Sequence, residues 1–314
     1  MTRGNQLFSP NTLLLLAFVA LAQPALAQRF WSTSDKSEAD AALYMQQNVR
    51  TPRLPESLEL AGEQVPLQYF DVRESLEREL TINAFWHSQA VNMLKLAHRY
   101  FPTIEALLRM HNVPDDFKYL CVAESGLQQA VSPMKAVGFW QLLPHTAKEL
   151  GLEVNDEVDE RYHVERATVA ACKYLHKAHD TFGSWTMAAA SYNMGVNGLR
   201  QQVVRQKSLS YYDMKLSDET TRYLFRILAL KLILSNPQQY GYHLREDELY
   251  PPFRYKEIIV NTAVESWADF AAQYGTNYKM LKLLNPWLRE PFLKNKARKT
   301  YYVKVMEEGF REKK

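Results

Sequence analysis

The sequence predicts a mainly α-helical protein that ends in a small β-α-α-β module. Three observations carry this expectation. Only 11 Gly and 14 Pro punctuate the 314 residues, too few for a strand-and-turn architecture. Apolar residues recur at threes and fours from Val72 to Tyr100, the spacing of a helix face. Near the C-terminus two runs rich in β-branched and aromatic residues, YKEIIV and TYYVKV, flank two amphipathic stretches.

Composition sets the outer bounds. Hydrophobic residues make up 46% and charged residues 23%, the balance of a chain that builds a core. One large domain with a smaller one attached is expected at this length. With 38 Lys and Arg against 35 Asp and Glu the net charge is +3, which gives no strong single-sign field and disfavours nucleic acid as a partner.

Residues 1–27 carry Arg3, an apolar run from Leu13 to Ala22 and the small-residue ending Ala25-Leu26-Ala27. That is the pattern of a secretory signal peptide with its cleavage site. The run is too short for a membrane span of about 20 apolar residues. No Cys lies near the cleavage point, so no lipid anchor is expected, and the mature chain is read as an exported, periplasmic protein. Residues 28–70, with Pro52, Pro55 and Pro66, read as an extended lead-in.

Residues 71–113 follow as a helical segment, with Pro102 closing the first run and Thr103–Met110 forming a further short helix. Residues 114–240 form the main domain. Pro114-Asp115-Asp116 opens a helix that places Glu124 near its C-terminal end, and further helices are expected at about 145–150, 165–182, 184–193, 196–206 and 218–235. Residues 241–254 are a linker, 255–305 the β-α-α-β module, read as separate from the rest, and 306–314 a basic tail.

Cys121 and Cys172 are the two cysteines, each in an apolar, helix-like segment. Buried thiols are favoured over the single disulfide that an exported chain allows. No metal site and no cofactor are expected, since His176-x-x-His179 lacks the H-E-x-x-H pattern.

Glu124 is the candidate general acid. It follows Leu120-Cys121-Val122-Ala123, whose apolar walls disfavour an ionised carboxylate, and Ser125-Gly126 ends the helix so that the side chain opens into a cleft. Downstream lie Ser132, Gly138-Phe139-Trp140-Gln141, Tyr192-Asn193 and Glu219-Thr220-x-x-Tyr223. Hydroxyls, amides and aromatic rings in this series suit a sugar-binding cleft.

Four ordered motifs, Glu124-Ser125, Gly138-x-x-Gln141, Tyr192-Asn193 and Glu219-Thr220-x-x-Tyr223, make the stretch from Pro114 to Pro237 resemble the lytic transglycosylase family with the lysozyme-like SLT domain. The resemblance implies a lysozyme-like catalytic domain. It implies cleavage of the β-1,4 bond between N-acetylmuramic acid and N-acetylglucosamine in peptidoglycan without water, leaving 1,6-anhydromuramoyl ends. Glu124 would be the sole acid/base, Ser125 would support it, and Ser132 would hold the acetamide or the glutamate. Gln141 and Tyr192 would meet the muramic acid, Gly138 would belong to the same substrate-binding set, Asn193 and Tyr223 would shape the cleft, and Glu219 would orient its neighbours.

Two departures from the family pattern stand out. Ser191 replaces the usual Ala before Tyr-Asn, where its hydroxyl is expected to bond a helical carbonyl, and the stretch from Glu124 to Ser132 is one residue short. The C-terminal module resembles a LysM carbohydrate-binding domain, although the usual Gly-Asp-Thr loop is replaced here by Asn261–Ser266. Retention on glycan and simple packing on the enzyme are both open readings of it.

Two other functions compete. A hydrolytic muramidase would need a second carboxylate, for which Asp156, Glu157, Asp159 and Glu160 are candidates in a segment expected to face solvent. A silent wall-binding scaffold would need no acid at all. In every reading the partner is the peptidoglycan strand, and the protein is expected to be a monomer associated with the cell wall.

Overall fold

The computed structural model describes residues 51–312. The predicted signal peptide, most of the lead-in and Lys313 and Lys314 of the basic tail lie outside the described residues.

The end of the lead-in is not merely extended. β1 (Glu59–Leu60) and β2 (Glu63–Gln64) form an antiparallel hairpin. Its two turn residues, Ala61 and Gly62, both take positive φ, as a tight two-residue hairpin turn requires. Leu58, Leu60, Val65 and Leu67 are buried by it in the main core. Their apolar spacing is diluted by prolines and acids, which hid the hairpin from the sequence reading.

Helices α1 (Phe70–Phe85) and α2 (His87–Met110) follow, broken at Trp86. Pro102 does not end the second one. It lies inside α2 on an exposed turn, where the carbonyl it leaves free meets water, while Ala97, Ile104 and Leu108 keep the inner face buried across it. The expected short helix 103–110 is therefore the second half of α2.

α3 (Phe117–Ser125) runs through the core, with Phe117, Tyr119, Leu120, Cys121 and Val122 all buried. α4 (Pro144–Glu149), α5 (Val164–Phe182), α6 (Trp185–Met194), α7 (Val196–Gln206) and α8 (Asp218–Ser235) complete the helical domain within a residue or two of expectation. α8 packs along both α1 and α3, and α5 packs against α2 and α6. Cys121 and Cys172 are free and buried, and burial pushes both thiols up, Cys172 to about 12. They stay unreactive small hydrophobes.

The C-terminal module is β3 (Tyr255–Val260), α9 (Trp267–Gln273), α10 (Tyr278–Leu284) and β4 (Tyr301–Met306), with β3 and β4 antiparallel. It is not a separate body. Val137, Val158 and Tyr162 of the helical domain share one buried cluster with Val260, Trp267, Leu281, Trp287 and Val303. Asp159 N donates to Trp287 O at 2.9 Å and Arg289 N to Glu157 O at 2.8 Å. The His163 ring stacks on Trp287, and the Arg289 guanidinium lies 4.0 Å from the Tyr162 ring centre. The linker is pinned as well: Tyr242 is buried and donates to Ala84 O, and Arg99 donates to Pro251 O.

Candidate active site

Glu124 is the penultimate residue of α3. The helix stops there because Gly126 takes φ +60° and donates its N–H to Val122 O, an αL cap that an ordinary residue would resist. Ser125 Oγ donates to Phe139 O at 2.9 Å, which ties the helix end to the loop carrying Gly138 and Gln141. Burial pushes the Glu124 carboxyl up to about 7, against the opposing pull of a hydrogen bond that Tyr223 donates to its Oε1. A carboxyl titrating there can give a proton and take one back near neutral pH.

The Gly138–Gln141 loop is held from behind. Gly138 has φ +80°, and a Cβ there would stand 2.1 Å from Arg161 O, so this glycine is a packing necessity inside the loop rather than a cleft wall. Arg161 makes a bidentate pair with Asp159, at 2.9 and 2.7 Å, and donates to Lys135 O and Leu142 O on either side of the loop. Both partners are buried. Gln141 itself adopts φ +46°, and its Nε2 donates to Ala130 O and Gly138 O. Its donors are spent on the loop, which leaves Oε1 as the atom to offer to a ligand.

Tyr192 and Asn193 come from the last turn of α6. The Tyr192 hydroxyl donates to Trp140 O at 2.7 Å, and its ring meets Tyr174 edge-on. Asn193 Oδ1 accepts from Thr220 Oγ1 at 2.8 Å, so its amide N–H groups are the free ones. Gln141, Tyr192 and Asn193 line a cleft of about 880 Å³ whose other walls come from α4, α5 and the first turn of α7. Burial pushes the Tyr192 phenol up and the Glu124 charge adds to it, which marks the two side chains as neighbours.

The remaining predicted residues fall elsewhere. Ser132 makes no hydrogen bond to Glu124; its hydroxyl accepts from Ala136 N and closes its own turn. Glu219 is exposed and pairs with Arg226, whose positive charge also acts on Glu124. Ser191 is fully buried and donates to Ala188 O, the helical carbonyl expected for it. Of the four acids expected to face solvent only Asp156 does so: Asp159 is buried with Arg161, Glu160 accepts from Glu153 N and pairs with Arg166, and Glu157 accepts from Lys294 N. The reason is that this segment is where the C-terminal module docks.

Several residues that matter to the site carried no recognisable signal. Glu63 in β2 accepts from Ser184 Oγ, Trp185 N and Thr186 N, and so fastens the start of the helix that ends in Tyr192-Asn193. Arg161 and Thr220 act at similar long range in sequence, and a lone Glu, Arg or Thr has no pattern to read.

Residues 101–215 match the Transglycosylase SLT domain. This chain carries an SLT domain. The SLT domain is followed by residues 256–309, which match the Soluble lytic transglycosylase C-terminal LysM-like domain. The chain is similar to Membrane-bound lytic murein transglycosylase D of Escherichia coli (strain K12) and of strain O6:H1, 28% identical in each case over 179 residues, covering 55% of this chain and 39% of the relative. A protein of Alteromonas sp. (strain M-1) named for tributyltin chloride resistance is 33% identical over 103 residues, covering 32% of this chain and 49% of that one. The chain thus spans about two-fifths of the length of the Escherichia coli relatives. The SLT match contains Glu124, Gln141, Tyr192 and Asn193, and stops short of Tyr223.

Proposed function

We propose that this protein is a peptidoglycan lytic transglycosylase that cleaves the β-1,4 bond between N-acetylmuramic acid and N-acetylglucosamine and leaves 1,6-anhydromuramoyl ends. The observation that carries the reading is the environment of Glu124, a buried carboxyl raised to about 7 that neighbours Tyr192, and Tyr192 lines a cleft with Gln141 and Asn193. With Oε1 occupied by Tyr223, Oε2 delivers the proton to the leaving glycosidic oxygen. The carboxylate then removes the proton from the C6 hydroxyl of the muramic acid as that oxygen closes on the anomeric carbon. One bond to the anomeric carbon breaks, one forms, and the proton count balances without water. No second carboxylate is needed, unlike the paired acids of hydrolytic glycosidases.

Three of the four acids that a hydrolase would draw on are engaged within the protein, Asp159 with Arg161, Glu160 with Arg166 and Glu157 with Lys294 N, and only Asp156 is exposed, which favours the transglycosylase. Exported, wall-associated action is part of the same reading and rests on the leader-like residues 1–27 together with the relatives' names. The LysM-like module is read as support for the SLT domain, with retention on glycan as an additional role. Mass spectrometry of the products from peptidoglycan sacculi tests the proposal. Muropeptides lighter than their hydrolytic counterparts by the mass of one water, absent with Glu124→Gln, are expected. Full-mass reducing ends would point to a hydrolase, and binding without products to a scaffold.

A further inference from the structure

The cleft that holds Gln141, Tyr192 and Asn193 is strongly asymmetric in charge. Lys173 and Lys177 stand four residues apart on one face of α5, and Arg200 faces the same space from α7. Glu149 is the one acidic residue of the lining. Lys173, Lys177 and Arg200 are exposed, and none has an ion-pair partner among the described residues. Lys173 Nζ donates to the neutral carbonyl of Leu150 at 3.1 Å, so three positive charges against the single Glu149 leave a surplus of positive charge around one concavity, which an anionic ligand relieves.

We infer that this end of the cleft binds the carboxylates of the peptide stem carried by muramic acid, and that Lys173, Lys177 and Arg200 make the protein select peptide-bearing over peptide-free glycan. The inference rests on the transglycosylase reading and names the part of the substrate that the sugar-facing residues do not. Gln141, Tyr192 and Asn193 offer one amide oxygen, one ring and one amide donor pair, which suit a neutral sugar. From Lys173 to Thr181 the α5 wall extends the cleft by about 12 Å, at 1.5 Å per residue. That is room for a substituent beside the glycan, and its chemistry there is cationic.

Calorimetric titration of the Glu124→Gln protein tests this with three probes of equal glycan length: peptide-bearing strands, strands stripped of stems by an amidase, and chitooligosaccharide without lactyl groups. Peptide-bearing strands are expected to bind about tenfold more tightly than stripped ones at low ionic strength, and this advantage should fall to within about twofold at 0.5 M salt. Adding Lys173→Gln, Lys177→Gln and Arg200→Gln together should abolish it, with circular dichroism and the thermal midpoint reporting that the fold is kept. Equal binding of stripped and peptide-bearing strands, both above chitooligosaccharide, would place the anion on the lactyl carboxylate and overturn the stem assignment. An advantage that survives the triple substitution, or no binding of the peptide-bearing strand, would also overturn it. Failure of the transglycosylase reading looks different: peptide-bearing strands bind with the expected selectivity, while the wild type yields no anhydro product.

Discussion

The hydroxyl of Tyr223 on α8 donates to Oε1 of Glu124 on α3, across 99 residues of sequence. Two opposed influences meet at that carboxyl. Burial favours the neutral acid, and the phenol favours the anion. Tyr223→Phe keeps the ring and removes the second influence. The Glu124 pKa should then rise above about 7, so the alkaline limb of the pH–rate profile should move upward, with kcat reduced by about tenfold. An unmoved limb would separate Tyr223 from the acid.

Glu124→Gln should reduce turnover by about 10²–10⁴-fold, the usual worth of a general acid. It should also stabilise the fold above neutrality. The folded carboxyl titrates at about 7, higher than in an unfolded chain, so its contribution is present at low pH and is lost as pH rises through 7. Urea denaturation should show the variant more stable than wild type by about 1–3 kcal/mol at pH 8, with the difference vanishing near pH 4.

Gly138→Ala should be among the most damaging small substitutions. The added methyl meets Arg161 O at 2.1 Å on a backbone with φ +80°. A loss of about 3–5 kcal/mol is expected, from overpacking and left-handed strain combined. Thermal denaturation measures it, and a shift within error of wild type would mean that the loop relaxes freely.

Glu63→Ala removes the acceptor of three hydrogen bonds at the start of α6. Burial alone would raise the Glu63 carboxyl, but its bonds to Thr186, Trp185 and Ser184 hold it below the ordinary value. Its contribution is therefore present at neutral pH and fades as the solution becomes acidic. A cost of about 2 kcal/mol is expected at pH 7, shrinking toward pH 3, read by chemical denaturation.

Glu165→Gln tests the joint between the domains. Burial would raise this carboxyl, yet the His163 ring and Lys304 hold it at about 2. The substitution leaves buried Lys304 without its charge partner. The stability it removes is present above about pH 4.3 and is lost as pH falls through 2. At pH 7 the variant should lose about 2–3 kcal/mol by urea denaturation.

The helices of the main domain were legible because their periodicity, caps and breakers are local, and α7 and α8 came out at their predicted ends. Pro102 misled because its cost depends on whether the affected turn faces water, which a sequence does not state. Glu124, Gln141, Tyr192 and Asn193 were legible as motifs, whereas the supports of the site were not. Thr220 on Asn193, Glu63 under α6 and Arg161 behind Gly138 are tertiary partners without a spacing rule. Glu157, Asp159 and Glu160 were read as solvated, as Asp156 is, because polar composition marks a loop and not what packs on it.

The docking has a mechanical meaning. Val137 belongs to the buried cluster of the C-terminal module and immediately precedes Gly138, at the root of the loop that carries Gln141. A pull on that module would therefore pass through Val137 into the loop that carries Gln141, so whatever holds the one end of the chain still also steadies the other.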